Sequence, residues 1–294
     1  MTLGERLRAD AAWLRETASA RGTAPLPNAQ AWREVVQVFE ATTGIRQVER
    51  TLREPEPAAT IDLHGYQDAL ARLAAGEPMA YVLGGQWFLD RLFRVTPAVL
   101  IPRDDTATLV AAAVDGLAPD AYARILDLGT GSGCIAISIA LARPRADIVA
   151  TDRSLAALAV ARDNAARLGA RNVRFAEADW FAGVPPGPYR MIVANPPYID
   201  AGDPHLVALG HEPVSALVSG SDGLDDLRRI VAGAAAVLAP HGRLLVEHGH
   251  RQRAAVLRLF EAARFDRIET FDDPGGNPRV VAGRRGTGAG SAIG

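Results

Sequence analysis

The 294-residue chain contains no lysine, and all 32 of its basic residues are arginine. That excludes Schiff-base lysine chemistry and the phosphate-binding lysine of a P-loop. It has one cysteine, Cys134, so no internal disulfide can form, which fits a reducing compartment. Neither sign of charge dominates: 32 basic against 34 acidic residues leave a net charge of −2. No global basic field is therefore present to attract a nucleic acid. No apolar run is long enough to cross a membrane and no signal-peptide pattern is present, so a cytoplasmic protein without membrane attachment is expected. His248-Gly249-His250 has no companions at metal-ligand spacing, so a solvated loop is expected there and no metal. What is present, 48% hydrophobic and 22% charged residues, is the composition of a globular protein large enough for one large domain or two smaller ones.

The first part of the chain has a helical period. Leu3, Leu7, Ala11 and Leu14 share a face. Arg21 to Pro27 separates this helix from a second one, capped by Asn28 and carrying Trp32, Val35, Val36 and Phe39. A third, with Tyr66, Leu70 and Leu73, follows the turn Arg53 to Pro57 and stops near Gly76 and Pro78. Trp13 and Trp32 are expected in the core of this block. The period then shortens. Tyr81 to Leu83, Gln86 to Leu89 and Leu92 to Val95 read as β-structure, with a turn at Asp90-Arg91.

From residue 98 onwards, apolar strands alternate with helices, which predicts an α/β, doubly wound, mostly parallel sheet. Strand Ile125 to Leu128 runs into Gly129-Thr130-Gly131-Ser132-Gly133 and then a helix through Ile135, Ile137, Ile139 and Leu141. Glycines let a ligand approach the backbone and the helix N-terminus. The spacing is not that of the dinucleotide fingerprint. Strand Ile148 to Thr151 ends in Asp152, placed to accept both hydroxyls of an adenosine ribose or, more simply, to cap the next helix with Ser154. Cys134 reads as a small core residue. Strand Val173 to Ala176 leads to Asp179 and Trp180, either beside an adenine or packed on the sheet rim.

Strand Met191 to Ala194 ends at Asn195-Pro196-Pro197-Tyr198. Two prolines force the chain out of the sheet at the edge that borders the ligand crevice. Asn195 and the backbone after it offer acceptors for both N–H groups of a planar amide or amino group, and Tyr198 offers a flat face. A proline-stiffened turn is the plainer reading of the same four residues. Arg103 is a candidate for holding a carboxylate or phosphate, or for a surface salt bridge. His205 and His211 are candidates to line the site. A helix from Leu224 to Ala239, strand Arg243 to Glu247, helix Arg251 to Ala263, and strands Arg267 to Phe271 and Arg279 to Ala282 complete the pattern, and the tail from Gly283 reads as disordered.

Together, Glu77-Pro78, Leu100-Ile101-Pro102-Arg103, Asp127 to Gly133, Asn195-Pro196-Pro197-Tyr198-Ile199, Glu212-Pro213 and Glu247-His248-Gly249 resemble the peptide chain release factor glutamine methyltransferases. The resemblance spans about Gly76 to Gly283. The family usually has Pro-Asp-Thr-Glu after Ile-Pro-Arg, whereas Asp104 and Ala107 stand here in place of the proline and glutamate. The resemblance implies a seven-stranded Rossmann-like methyltransferase sheet over 98–283, a β-hairpin linker at 77–97, a small N-terminal helical, substrate-docking domain at 1–76 and a flexible tail at 284–294. It implies S-adenosylmethionine as methyl donor, contacted by Gly129, Thr130, Gly131, Ser132, Gly133, Asp152, Trp180 and Asn195. Asn195, Pro196, Pro197 and Tyr198 would hold the glutamine, with Asn195, Pro196 and Tyr198 catalytic. Peptide chain release factors are the implied partners of a monomer, with no direct nucleic-acid contact. The alternatives are an amino methyltransferase acting on adenine or guanine, a nicotinamide-dependent oxidoreductase, and a non-catalytic cofactor-binding module.

Overall fold

The computed structural model describes residues 1–20 and 26–286, and the chain divides into two compact units, Met1–Gly84 and Gly85–Gly294. The first is helical: α1 (Leu3–Ala20), α2 (Asn28–Thr43), α3 (Gln47–Arg53), α4 (His64–Ala74) and the short α5 (Met79–Leu83). Residues three and four apart form the apolar stripes that meet in its core: Leu3, Leu7 and Leu14 of α1, Val35 and Phe39 of α2, and Tyr66, Leu70 and Leu73 of α4. The Phe39 and Tyr66 rings pack edge to face, 5.7 Å apart. Burying the Tyr66 hydroxyl requires a partner, and it donates to Asp10 at 2.8 Å, while Arg6 Nε bonds both oxygens of that carboxylate.

Several local expectations are corrected here. Asn28 does not cap α2 but is its first residue; the Pro27 carbonyl accepts from the amides of Gln30 and Ala31. Tyr81 to Leu83 is helix rather than strand. The Pro78 carbonyl accepts from Tyr81 and Val82, and Gly84, at φ 67°, ends the turn. Aromatic and β-branched residues imitated a strand because they are buried, not because they pair. Trp13 is exposed rather than in the core, and Trp32 is half-buried with the Arg50 guanidinium 5.7 Å above its ring. Residues 21–25 of the expected separator lie outside the described residues.

The second unit opens with an antiparallel hairpin, β1 (Gly85–Phe88) and β2 (Arg91–Arg94). Seven further strands form one sheet: β3 (Arg124–Leu128), β4 (Asp147–Asp152), β5 (Val173–Glu177), β6 (Tyr189–Ala194), β7 (Leu238–Glu247), β8 (Phe265–Asp272) and β9 (Pro278–Arg285). Their spatial order is β5-β4-β3-β6-β7-β9-β8. The strands from β5 across to β7 are parallel, and β9 runs antiparallel to both its neighbours. Helices α6 (Ala107–Asp115), α7 (Cys134–Ala142), α8 (Leu155–Leu168), α9 (Asp225–Val237) and α10 (Arg253–Ala262) flank it.

The pleat explains why these strands read as unbroken apolar runs. Ile125, Met191, Val193 and Leu245 enter the core shared with α6 and α7, while Leu126, Ile192, Ala194, Leu244 and Val246 enter the one shared with α9 and α10. The chain builds outwards from β3 to β5, then returns to lay β6 on the other side of β3. That reversal opens a crevice at the carboxyl ends of β3 and β6, where Leu128 and Ala194 are partners in register. The helix expected to reach Ala239 stops at Val237, because Leu238 turns extended and pairs with Tyr189. β9 runs on to Arg285, past the expected end at Ala282, with Arg284 paired to both Arg243 and Asp266. The tail expected from Gly283 thus loses its first three residues to the sheet, and 287–294 lie outside the described residues.

Candidate active site

A cavity of about 390 Å³ occupies the crevice, within the usual size for a small-molecule site. Gly129 to Ser132, Asp152, Ala178 to Trp180, Thr106 and Asn195 are among the residues that line it. The glycine loop is held from below. Thr130 donates its hydroxyl to Asp127 at 2.7 Å and its amide to the Thr151 carbonyl at 2.8 Å. Burial pushes the Asp127 carboxyl up to about 7, against the pull of the Thr130 hydroxyl and with help from the nearby Asp152 charge. Asn164 on α8, fully buried, spends its amide on three backbone groups: Arg94 N, Arg94 O and Ser132 O, at 2.7 to 2.9 Å. It thereby ties the hairpin to the glycine loop.

The glycines have different tasks. A Cβ on Gly131 would meet nothing within 4 Å, so this residue presents bare backbone. On Gly133, at φ 82°, a Cβ would fall 2.8 Å from Ile137 Cδ1 and 3.2 Å from Ala161 Cβ. Gly133 therefore serves the packing of α7 on α8. Gly133→Ala should destabilise the fold by about 1–3 kcal/mol, the cost of a left-handed non-glycine residue before any clash is relieved. Chemical denaturation measures it, and an unchanged midpoint would refute the packing role.

Asp152 does not cap α8. Ser154 does, accepting from Ala157 N at 3.2 Å. Asp152 instead accepts from Gly131 N at 3.0 Å and Ser154 N at 2.9 Å, which fixes its carboxylate on the cavity wall with lone pairs to spare. Trp180 lies along Gly129, whose Cβ would stand 3.2 Å from its ring. Its indole N–H donates to Asp226 at 2.9 Å, and Asp226 is itself fixed by the Ser219 hydroxyl at 2.8 Å. Trp180 has φ 50°, a strained backbone for a bulky residue, costing about 1–3 kcal/mol.

At the end of β6, Asn195 Nδ2 donates to Thr106 Oγ1 at 3.2 Å, and among the described residues no donor reaches its Oδ1. Pro196 and Tyr198 line a second cavity with Asp104 and Asp105, and Asn195 lines both cavities. The loop is strapped down: Ile199 exchanges backbone bonds with Leu217 and Ser219, and the Tyr198 carbonyl is taken by Gln252 at 3.0 Å. The Tyr198 hydroxyl donates to Glu247 at 3.3 Å, and burial raises its pKa well above the usual phenol range.

Arg103 lines both cavities and pairs with Glu212, which is buried and also accepts from Ile101 N at 3.1 Å. Its carboxylate partner is thus internal and buried, not a surface salt bridge. His248 is not in a solvated loop; it is fully buried, and burial holds it neutral by lowering its pKa. His205 and His211 line neither cavity; His205 is exposed and bonds Asp203 at 2.7 Å. Cys134 is a core residue, its thiol pushed up to about 12 by burial. No group of three or more potential metal ligands exists among the described residues, and no described helix is long and apolar enough to cross a membrane.

A glycine loop, an acid after the next strand and a polar loop at the adjoining strand end, on a seven-stranded sheet with one antiparallel member, define a class I methyltransferase. Residues 104–214 match the family described as Methyltransferase small domain. A methyltransferase from Pyrococcus furiosus shares the fold, with TM-score 0.52 at 16% identity, over 75% of this chain and 99% of its own. The release factor glutamine methyltransferase of Burkholderia pseudomallei is 45% identical over 240 residues, 79% of this chain and 84% of its own. That of Escherichia coli strain K12 is 39% identical over 275 residues, 92% of this chain and 97% of its own. The chain belongs to the release factor glutamine methyltransferase family, and it is an enzyme.

Proposed function

We propose that the protein transfers a methyl group from S-adenosylmethionine to the side-chain amide nitrogen, N5, of a glutamine in a peptide chain release factor. The observation that carries this reading is the position of Asn195 on the wall between two cavities, with its Nδ2 committed to Thr106 and its Oδ1 uncommitted. The first cavity fits the donor. Gly131 leaves its backbone bare, Asp152 keeps acceptor capacity for ribose hydroxyls, and Trp180 offers an aromatic wall. Gly129, Thr130 and Ser132 would complete the cradle, while Gly133 contributes through packing. When bound, S-adenosylmethionine supplies a methyl group made electrophilic by its sulfonium.

A carboxamide nitrogen is a poor nucleophile because its lone pair is shared with the carbonyl. The protein's task is alignment and electrostatics. Asn195 Oδ1 accepts one substrate N–H, and a carbonyl of Pro196 or Pro197 accepts the other, since that of Tyr198 is occupied by Gln252. Both bonds localise density on nitrogen and stabilise positive charge developing there. Holding the nitrogen in line contributes up to roughly 7–11 kcal/mol in the best intramolecular models. Pro196 and Pro197 restrict the residues before them, Asn195 and Pro196, to extended backbone and keep the loop stiff, and Tyr198 lines the second cavity.

The helical unit is read as docking the protein substrate. Both cavities are lined by residues of the second unit alone. The helical unit instead exposes Val48 and Leu52, one turn apart on α3. The protein is read as acting as a monomer. Mass spectrometry of a release factor and of a short glutamine peptide, each incubated with enzyme and donor, tests the whole reading. One added methyl on a glutamine is expected, with the intact factor modified faster. Methylation of a nucleic acid with none on either protein substrate would refute it.

A further inference from the structure

Just after β5, Asp179 and Ala182 exchange two backbone hydrogen bonds of 3.0 Å. The turn they close leaves Trp180 at its tip, with φ 50°, on the wall of the first cavity. Its ring packs on the core that α9 and α10 share with the sheet. Its six-membered edge lies along Gly129, where a Cβ would stand 3.2 Å from Cζ3 and 3.5 Å from Cη2. Apolar contacts are not directional, so neither of these prevents the ring from turning over. The bond from Nε1 to Asp226 Oδ1, at 2.9 Å, does, because an indole has one donor at one position.

Asp226 is itself held from several sides. It stands in the first turn of α9, with its side chain 19% exposed. Its Oδ2 accepts from Ser219 Oγ at 2.8 Å, and its own amide donates to that same oxygen at 2.8 Å. Ser219 is buried, and its amide donates to the Ile199 carbonyl at 3.0 Å, one residue beyond Tyr198. The carboxylate thus rests on the strap of the Asn195 loop. Arg229, further along α9, pairs with Asp226 at 3.7 Å and with Asp179 at 3.3 Å, bridging the helix to the same turn. Phe181 fixes the turn to α9 a second time, at Gly233, where a Cβ would fall 2.5 Å from Phe181 Cδ2.

We propose that Asp226 is a positioning residue of the donor site, which fixes the orientation of the Trp180 indole before the donor arrives. The inference rests on the donor reading given above. A flat heterocycle gains from an aromatic wall only in an offset-stacked or edge-on arrangement. An indole free to turn has to be immobilised at the moment of binding, at the expense of affinity. With Nε1 tied to Oδ1, the ring is immobilised when the chain folds, and its other edge stays over Gly129. Asp226 acts through Trp180 and needs no contact with the donor.

The test measures S-adenosylmethionine affinity by calorimetry in wild type, D226A, D226N, W180F and the double variant D226A/W180F. The Trp180 indole N–H resonance is followed in each protein that keeps it. D226A should bind the donor about threefold to tenfold more weakly, the equivalent of immobilising one large side chain. W180F keeps an aromatic face but has no N–H, and should lose at least as much. With the bond already gone in W180F, the double variant should be no more than about twofold weaker than W180F. D226N still accepts the indole proton through its amide oxygen, and the Ser219 hydroxyl can turn to accept from its amide nitrogen. It should therefore stay within about twofold of wild type. The indole resonance should move upfield in D226A and hold its place in D226N. Unchanged affinity in D226A, losses that add in the double variant, or an indole resonance unmoved by D226A would each overturn the proposal. If D226A does not fold, W180F and D226N decide: wild-type affinity in W180F, or a loss in D226N as large as that in W180F, overturns it equally. Wild type that binds no S-adenosylmethionine would overturn the donor reading itself, whereas tight binding by wild type confines any failure among the variants to the role of Asp226.

Discussion

Asn195→Ala is expected to lower single-turnover methylation of a folded release factor about a hundredfold or more, with the affinities for donor and protein substrate little changed. The bond lost is one that strengthens as the amide nitrogen becomes positive, so the effect belongs in kcat. Removing the side chain also leaves Thr106 without the Nδ2 donor now 3.2 Å away. Asn195→Asp should be impaired less, because a carboxylate still accepts from the substrate even though it cannot donate to Thr106. Rates are to be read beside calorimetric donor affinity for each variant. Turnover near wild type in the alanine variant would remove Asn195 from the chemistry.

Asp152→Ala should act on the other cavity and on the other parameter. Each ribose hydroxyl bound to a carboxylate contributes roughly 1.5–3 kcal/mol, so donor affinity should fall at least tenfold. Part of the loss comes from the protein itself, since the same carboxylate holds Gly131 N and Ser154 N. Asp152→Asn separates the two contributions: its amide oxygen can keep a backbone bond while the charge is gone. Calorimetry with S-adenosylmethionine decides it, and an unchanged dissociation constant in the alanine variant would mean that the ribose lies elsewhere.

Both of these residues were legible without coordinates because they sit at strand ends marked by glycine or proline, where a parallel sheet exposes its carboxyl edge. The residues that support them were not. Thr106 meets Asn195 across 89 positions, Glu247 meets Tyr198 across 49, Glu212 meets Arg103 across 109, and Asp226 meets Trp180 across 46. Nothing local distinguishes such an acid from a solvated one. Glu247 reads as the polar end of a strand and His248 as the start of a solvated loop, and the packing of β9 and the Asn195 loop around them makes both interior. Asn164 was hidden for the same reason: it sits in a helix among arginines and alanines, and its three backbone partners lie at 94 and 132. The error at Tyr81 to Leu83 is of another kind. Aromatic and β-branched residues are buried there without pairing, and Pro78 and Gly84, which bracket the helical turn, carry the local signal.

The position of β9 also orders events during synthesis. It is the last of the seven strands to be made, yet it lies inside the sheet, and β8 has no other strand beside it. While the ribosome is still adding residues before Pro278, β8 has nothing to pair with and β7 presents an unpaired edge, the kind of edge that seeks partners in other chains. Arg279, whose charge steadies Glu247, arrives on that same strand. The glycine loop and Asn195 are translated long before, so these parts of the cavity wall are made first. The charge that steadies Glu247, the acceptor of the Tyr198 hydroxyl, comes with the strand that closes the sheet.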